Sequence, residues 1–149
     1  MPPFALSGSC AKSSLDDTYE PVARTADGRF YYRGQAAGKF VYYDADCDGT
    51  GSYWGGAQWF IDNNEPSTTA TSDLDGDGGC SVYAFITSTA AEPPSGTWTM
   101  TCDGSWVSTA LTLTELHPSA APTVSPQPTA PTISPTRTPP SMFTSDFDS

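Results

Sequence analysis

Short runs of β-forming residues alternate with turn signals along most of this chain, and this alternation limits the fold more than any other feature. Between residues 5 and 115, runs such as YEPVAR, RFYYR and AQWFI are separated by glycine-, aspartate- and proline-rich stretches about every ten residues. No segment of twelve or more residues shows helical periodicity. The pattern predicts an all-β domain of about seven or eight antiparallel strands, folded as a small sandwich or barrel.

The cysteines indicate disulfides rather than a metal or redox site. Cys10, Cys47, Cys80 and Cys102 are widely spaced, no Cys-x-x-Cys pair occurs, and the chain has one histidine. Two disulfides place the protein outside the cell, as a secreted, cell-surface or matrix protein. Three pairings are open. We favour Cys10–Cys47 and Cys80–Cys102, because the latter two flank what looks like one hairpin.

The composition changes abruptly after Glu115 and divides the chain into three parts. We expect a disulfide-linked domain over residues 1–116, an extended rod over residues 117–141 and a short segment over residues 142–149. The rod has eight prolines and nine serines or threonines among 25 residues, so it is expected to be polyproline-like, at ~3.1 Å per residue. Met142, Phe143 and Phe147 give the last segment apolar anchors for docking on a neighbouring subunit; the alternative is a frayed terminus.

Prolines in the rod recur almost every four residues, with serine and threonine between them. The stretch SAAPTVSPQPTAPTISPTRTPPS resembles mucin-like stalks and the hydroxyproline-rich glycoproteins of algal and plant extracellular matrices. This resemblance implies O-glycans on serine, threonine and hydroxylated proline. The residues implied are Ser119, Thr123, Ser125, Thr129, Thr132, Ser134, Thr136, Thr138, Ser141, Pro122, Pro126, Pro131 and Pro135. No Asn-x-Ser/Thr acceptor is present, so any glycan is O-linked.

A second resemblance concerns the domain that precedes the rod. The runs GRFYYRG, GKFVYYDADC and AQWFIDN are similar to small disulfide-linked β modules of secreted proteins in aquatic eukaryotes. The similarity implies a secreted all-β module and brings no assigned activity with it.

Two acidic loops have the spacing of the first half of a calcium-binding loop. DADCDG and DLDGDG place carboxylates at alternate positions followed by glycine, but the glutamate expected at position 12 is missing from both. The candidate calcium ligands are Asp44, Asp46, Asp48, Asp73, Asp75 and Asp77. The alternative is that the Asp-Gly pairs only form hairpin turns.

Aromatic residues are dense in the middle of the chain, where alternate strand positions face opposite sides of a sheet. The candidate contact residues for a sugar or a protein are Tyr53, Trp54, Trp59 and Trp106. The alternative is that they form the core and cross-strand pairs of a small β domain.

Charge and motifs exclude several functions. A net charge of −11 argues against nucleic acid and against anionic membrane surfaces, and no run approaches the ~20 apolar residues of a membrane span. His117 lies at the boundary of the rod and no glycine-rich phosphate loop follows a strand, so we expect no enzyme.

The leading hypothesis is a structural extracellular glycoprotein, in which the β domain carries an O-glycosylated rod and copies join head to tail in a surface or matrix fibril. Its partners are glycans and other copies of the chain, and it requires no cofactor. The alternative is a calcium-assisted carbohydrate- or protein-binding module on a passive glycosylated stalk.

Overall fold

Eight antiparallel strands form a closed barrel in which each strand pairs with the next and the last pairs with the first. The computed structural model describes residues 2–10, 14–51 and 56–117. The strands are β1 (Phe4–Ser7), β2 (Asp17–Arg24), β3 (Phe30–Gly34), β4 (Phe40–Asp44), β5 (Gln58–Asp62), β6 (Ala84–Thr87), β7 (Gly96–Cys102) and β8 (Ser105–Glu115). The all-β prediction and the strand number are confirmed, and the alternative left open is decided in favour of a barrel. Apart from His117, the predicted rod and the last segment lie outside the described residues.

The interior of the barrel is packed with side chains, many of them aromatic. An eight-stranded barrel is just wide enough for side chains to fill it. Trp59 and Trp98 are fully buried there, and their indole N–H groups donate to the carbonyl oxygens of Ala90 at 3.1 Å and Pro94 at 3.0 Å. Both tryptophans therefore bury a large apolar surface without leaving a polar atom unpaired.

Strands β4 and β5 are buried on both faces, unlike the other strands. Val41, Tyr43 and Ile61 point into the barrel, whereas Tyr42 and Phe60 point outwards and meet with ring centroids 5.9 Å apart. The outward residues belong to a second apolar cluster that the loops after β4 and β5 help to form. The loop residues in or against this cluster are Cys47, Ala70, Leu74 and Val82.

The disulfides join Cys10 to Cys102 and Cys47 to Cys80, so the favoured pairing of Cys10 with Cys47 and Cys80 with Cys102 is wrong. The two sides of the barrel wall explain the difference. Cys10 and Cys102 pack against the interior cluster, whereas Cys47 packs against the outer one. Cys80 precedes β6 by four residues and lies in the loop on the outer side, so its sequence position beside the β6–β7 hairpin was misleading.

Strand limits also differ in two places from the sequence pattern. The nine residues CSVYAFITS have the composition of a strand, but only Ala84–Thr87 forms β6, because the preceding residues belong to the outer loop. Strand β1, with the sequence FALS, lies before YEPVAR, the first of the runs that marked the pattern. Within the described ranges, no helix has the length and apolar character needed to span a membrane.

Strand β8 extends well beyond β1 at the seam that closes the barrel. The four residues of β1 pair only with residues 112–115 of β8. Gly8 then leaves the sheet with a φ of +99°, and a Cβ there would lie 2.6 Å from the carbonyl oxygen of Ala110, so glycine is required. Within the part of the chain that the structure describes, residues 105–109 of β8 pair with β7 alone.

Candidate functional site

The two acidic loops lie together on the outer face of the barrel. Hydrogen bonds join them, because Asp73 donates its backbone N–H to the Asp46 carbonyl at 2.8 Å and Leu74 donates its N–H to Asp44 Oδ2 at 2.9 Å. The Cys47–Cys80 disulfide adds a covalent link. Gly49 has a φ of +66°, and a Cβ at this position would lie 3.0 Å from the Cβ of Asp73. Glycine at the sixth position of the first loop thus permits the second loop to approach.

The carboxylates of the second loop converge. Asp73, Asp75 and Asp77 each offer an oxygen atom, and these atoms all lie within 4.8 Å of one another. Asp62, the last residue of β5, hydrogen-bonds to Asp75 and enlarges the group to four carboxyl groups. Oxygen ligands at this density suit a hard cation such as calcium.

The carboxyl groups repel one another. Burial, and next the charge of Asp77, raises the pKa of Asp75 to about 7. Hydrogen bonds with Asp62 and Asp73 act in the same direction. Burial also raises the pKa of the Tyr42 hydroxyl, which lies beneath the loops near these charges. The four carboxyl groups thus form a site in which full ionisation is unfavourable without a counter-ion.

The carboxylates of the first loop accept hydrogen bonds from nearby groups, as two carboxylates of the second loop also do. Asp44 Oδ1 accepts from the N–H of Asp46 at 2.8 Å, and Asp46 Oδ2 accepts from Gly51 at 3.0 Å. Asp48 Oδ1 accepts from both the N–H and the hydroxyl of Thr50, and these bonds lower the pKa of Asp48. In this loop the geometry agrees with the turn-only alternative.

The candidate contact aromatics fall into three groups. Trp59 lies in the barrel interior with 0% exposure, so the expectation that it contacts a ligand at the surface is wrong. The period-2 alternation of β5 explains this, since Trp59 and Ile61 share the inward face. Trp106 is 53% exposed on β8, with its ring held edge-on against Phe85 at 5.6 Å. Tyr53 and Trp54 lie outside the described residues, as do all the candidate glycosylation residues of the rod.

Sequence reasoning missed Asp62 as a member of the acidic group. It precedes an Asn-Asn turn and lacks the alternating Asp-x-Asp spacing that marked the two loops. The only available signal was its position two residues after Phe60, on the outward face of the same strand. That signal becomes useful only once the loops are known to cover that face.

No protein-family model, no curated protein and no solved structure matches this chain. The described surface offers oxygen ligands for a hard cation and one half-exposed tryptophan. His117 follows β8 with an exposed side chain, 3.7 Å from a carboxylate oxygen of Glu115.

Proposed function

We propose that this protein is a structural extracellular glycoprotein, in which the barrel is a rigid head and residues 117–141 are an O-glycan-bearing rod. The observation that carries the proposal is the composition of the rod, with eight prolines and nine hydroxyl residues among 25. Such a segment cannot bury enough apolar surface to offset its ordering entropy, so its chemistry lies in its hydroxyl groups.

The barrel supports this proposal through its rigidity. Its interior is filled by side chains, and its connections are held by two disulfides. The disulfides are consistent with an oxidising environment, and they favour secretion or exposure at a surface or matrix. A packed barrel of this kind fits a joint or a head group better than a container for a small ligand.

For assembly, we propose that residues 142–149 of one copy add a strand to the β8 edge of another. Within the described ranges, residues 105–109 have β7 on one side and no strand on the other. Val107, on this stretch, is 37% exposed. Open sheet edges accept extended segments, and a contact that repeats head to tail produces a fibre. Electron microscopy of native material tests this step, and fields of dispersed single particles alone would contradict it.

Trypsin gives a direct test of the glycosylated rod. Arg137 is the only lysine or arginine within residues 117–141, and it lies between Thr136 and Thr138. We expect native protein to resist cleavage after Arg137 because glycans on both neighbours block the protease. Chemical deglycosylation should expose the bond, so that mass spectrometry detects the fragment that begins at Thr138. Equal cleavage rates before and after deglycosylation would contradict the proposal.

As a second function, we propose a calcium-assisted binding module, because the second acidic loop and Asp62 place four carboxyl groups together on the outer face. Calcium would offset their mutual repulsion and join the second loop more firmly to the end of β5. This function does not depend on the rod, and the two functions are compatible in one chain.

Calcium is therefore expected to stabilise the folded protein. A cation that binds only the folded state adds about 2.7 kcal/mol to the free energy of unfolding at 100 times its Kd. Thermal unfolding with and without calcium measures the effect as a rise in Tm. Asp75→Asn should raise the Tm in EDTA, because one repelling charge is removed, and should abolish the calcium-dependent rise.

Asp48→Asn is the matched control, since Asp48 lies in the first loop and accepts hydrogen bonds from Thr50. This variant should keep the full calcium response. If calcium leaves the Tm unchanged, or if Asp75→Asn keeps the calcium response, the four carboxyl groups are not a calcium site.

A further inference from the structure

An open groove of about 540 Å³ lies between the end of β5, the segment before β6 and the start of β8. Trp106, Asn63 and Asn64 are among the residues that line it. Ser81 and Tyr83 contribute from the segment before β6. The groove is shallow, and it combines one large aromatic surface with several amide and hydroxyl groups.

Contacts with neighbouring side chains hold the aromatic groups of the groove in place. The ring of Trp106 packs edge-on against Phe85, although 53% of the residue is exposed. The Tyr83 hydroxyl accepts a hydrogen bond from Asn63 Nδ2 at 2.7 Å, and the ammonium group of Lys39 lies 3.7 Å from the centre of the Tyr83 ring. A ligand would therefore meet groups that are already positioned, which lowers the entropy cost of binding.

The charges around the groove narrow the class of ligand. A chain with net charge −11 disfavours anions, and the Lys39 ammonium is engaged by Asn63 Oδ1 and the Tyr83 ring. Two acidic residues line the groove, and both carboxyl groups are already hydrogen-bonded: Asp77 Oδ1 accepts from the N–H of Gly79 at 2.7 Å, and Asp62 hydrogen-bonds to Asp75. Apart from these charged groups, the groove offers a ligand an indole face beside neutral hydrogen-bond donors and acceptors. A sugar ring matches it, since its C–H face packs on an aromatic ring while its hydroxyls bond to amides.

We propose that this groove is a binding site for a neutral saccharide, with Trp106 as the stacking platform and Asn64 and Ser81 as hydrogen-bonding groups. This inference deepens the second proposed function, on which it rests, by naming the ligand class and the residues. It requires neither the rod nor a glycan on the protein itself.

The test follows the four tryptophan indole N–H signals by NMR in the full chain with both disulfides formed. The probes are tetrasaccharides of β-1,4-linked glucose, β-1,4-linked N-acetylglucosamine, mannose and galactose, with tetralysine as a cationic competitor. At least one saccharide should shift the Trp106 signal and leave those of the buried Trp59 and Trp98 in place. Trp106→Phe assigns the signal.

Variants locate the site and separate it from a general surface effect. Trp106→Ala and Asn64→Ala should each weaken binding, the first by roughly tenfold, measured by calorimetry. Val22→Ala is the control, because Val22 is also an exposed apolar residue but lies on β2, away from the groove, and it should leave affinity unchanged.

Three outcomes would overturn the inference: no shift with any saccharide, a shift with tetralysine alone, or equal affinity in Trp106→Ala. Saccharide titrations in EDTA and in calcium distinguish saccharide binding at the groove from calcium binding by the acidic residues, which is measured by the Tm. Saccharide binding in EDTA would support the groove even if calcium has no effect on stability. A calcium response without saccharide binding would support the calcium site and contradict the saccharide site.

Discussion

Replacing Cys10 and Cys102 together with serine should lower the free energy of unfolding by about 4–5 kcal/mol. The disulfide spans 92 residues, and cross-linking so long a loop removes a large conformational entropy from the unfolded chain. Cys10 follows β1 and Cys102 ends β7. The bond therefore also links the two sides of the barrel end at which β8 extends beyond β1. Urea unfolding followed by tryptophan fluorescence measures the loss. Because domains are stable by only about 5–15 kcal/mol, the variant should unfold at much lower urea.

The other disulfide is the internal comparison. Cys47 and Cys80 are 33 residues apart, so replacing both with serine should cost about 1 kcal/mol less. Peptide mapping without reduction checks the pairing independently. A loss below about 2 kcal/mol for the Cys10–Cys102 variant would contradict the expected stabilisation, and a Cys10–Cys47 peptide would contradict the pairing.

Trp98→Ala is expected to destabilise the barrel by about 3–5 kcal/mol. Trp98 is fully buried inside the barrel, so the substitution removes apolar contacts and leaves a cavity that neighbouring strands cannot close. It also leaves the carbonyl of Pro94 without the indole donor. Chemical unfolding of the oxidised protein, with both disulfides formed, measures the change.

Trp106→Ala provides the same substitution at the surface. Trp106 is 53% exposed and its main contact is the edge-on packing against Phe85, so the expected loss is about 1 kcal/mol. Similar losses for the two variants would mean that Trp98 does not lie in a packed interior, and the argument for a filled barrel would fail.

Much of the fold could be predicted because strands leave a local signal. Tyr42 and Phe60 alternate with inward residues, and the turns between strands carry aspartate and glycine. The disulfide pairing left no such signal. Cys80 and Cys102 flank one hairpin in sequence, yet the wall of the barrel separates them, because the segment of Cys80 folds onto the outer face.

The candidate site was predictable only in part. The Asp-x-Asp spacing identified Asp73, Asp75 and Asp77, which do converge. In the first loop the same spacing gives carboxylates that accept from local N–H groups, and Asp44 also accepts from Leu74 of the second loop. Trp59 shows a related limit, since composition suggested a contact face and only the strand register places its ring inside.

Glycosylation of residues 117–141 is the central claim, and mass spectrometry of the protein from its native source tests it most directly. The account predicts peptides from this segment that carry sugar on several serine, threonine or hydroxylated proline residues, with little unmodified peptide. Peptides from residues 1–116 should be free of glycans, which makes them the control within the same sample. Finding residues 117–141 unmodified in native material would contradict the account.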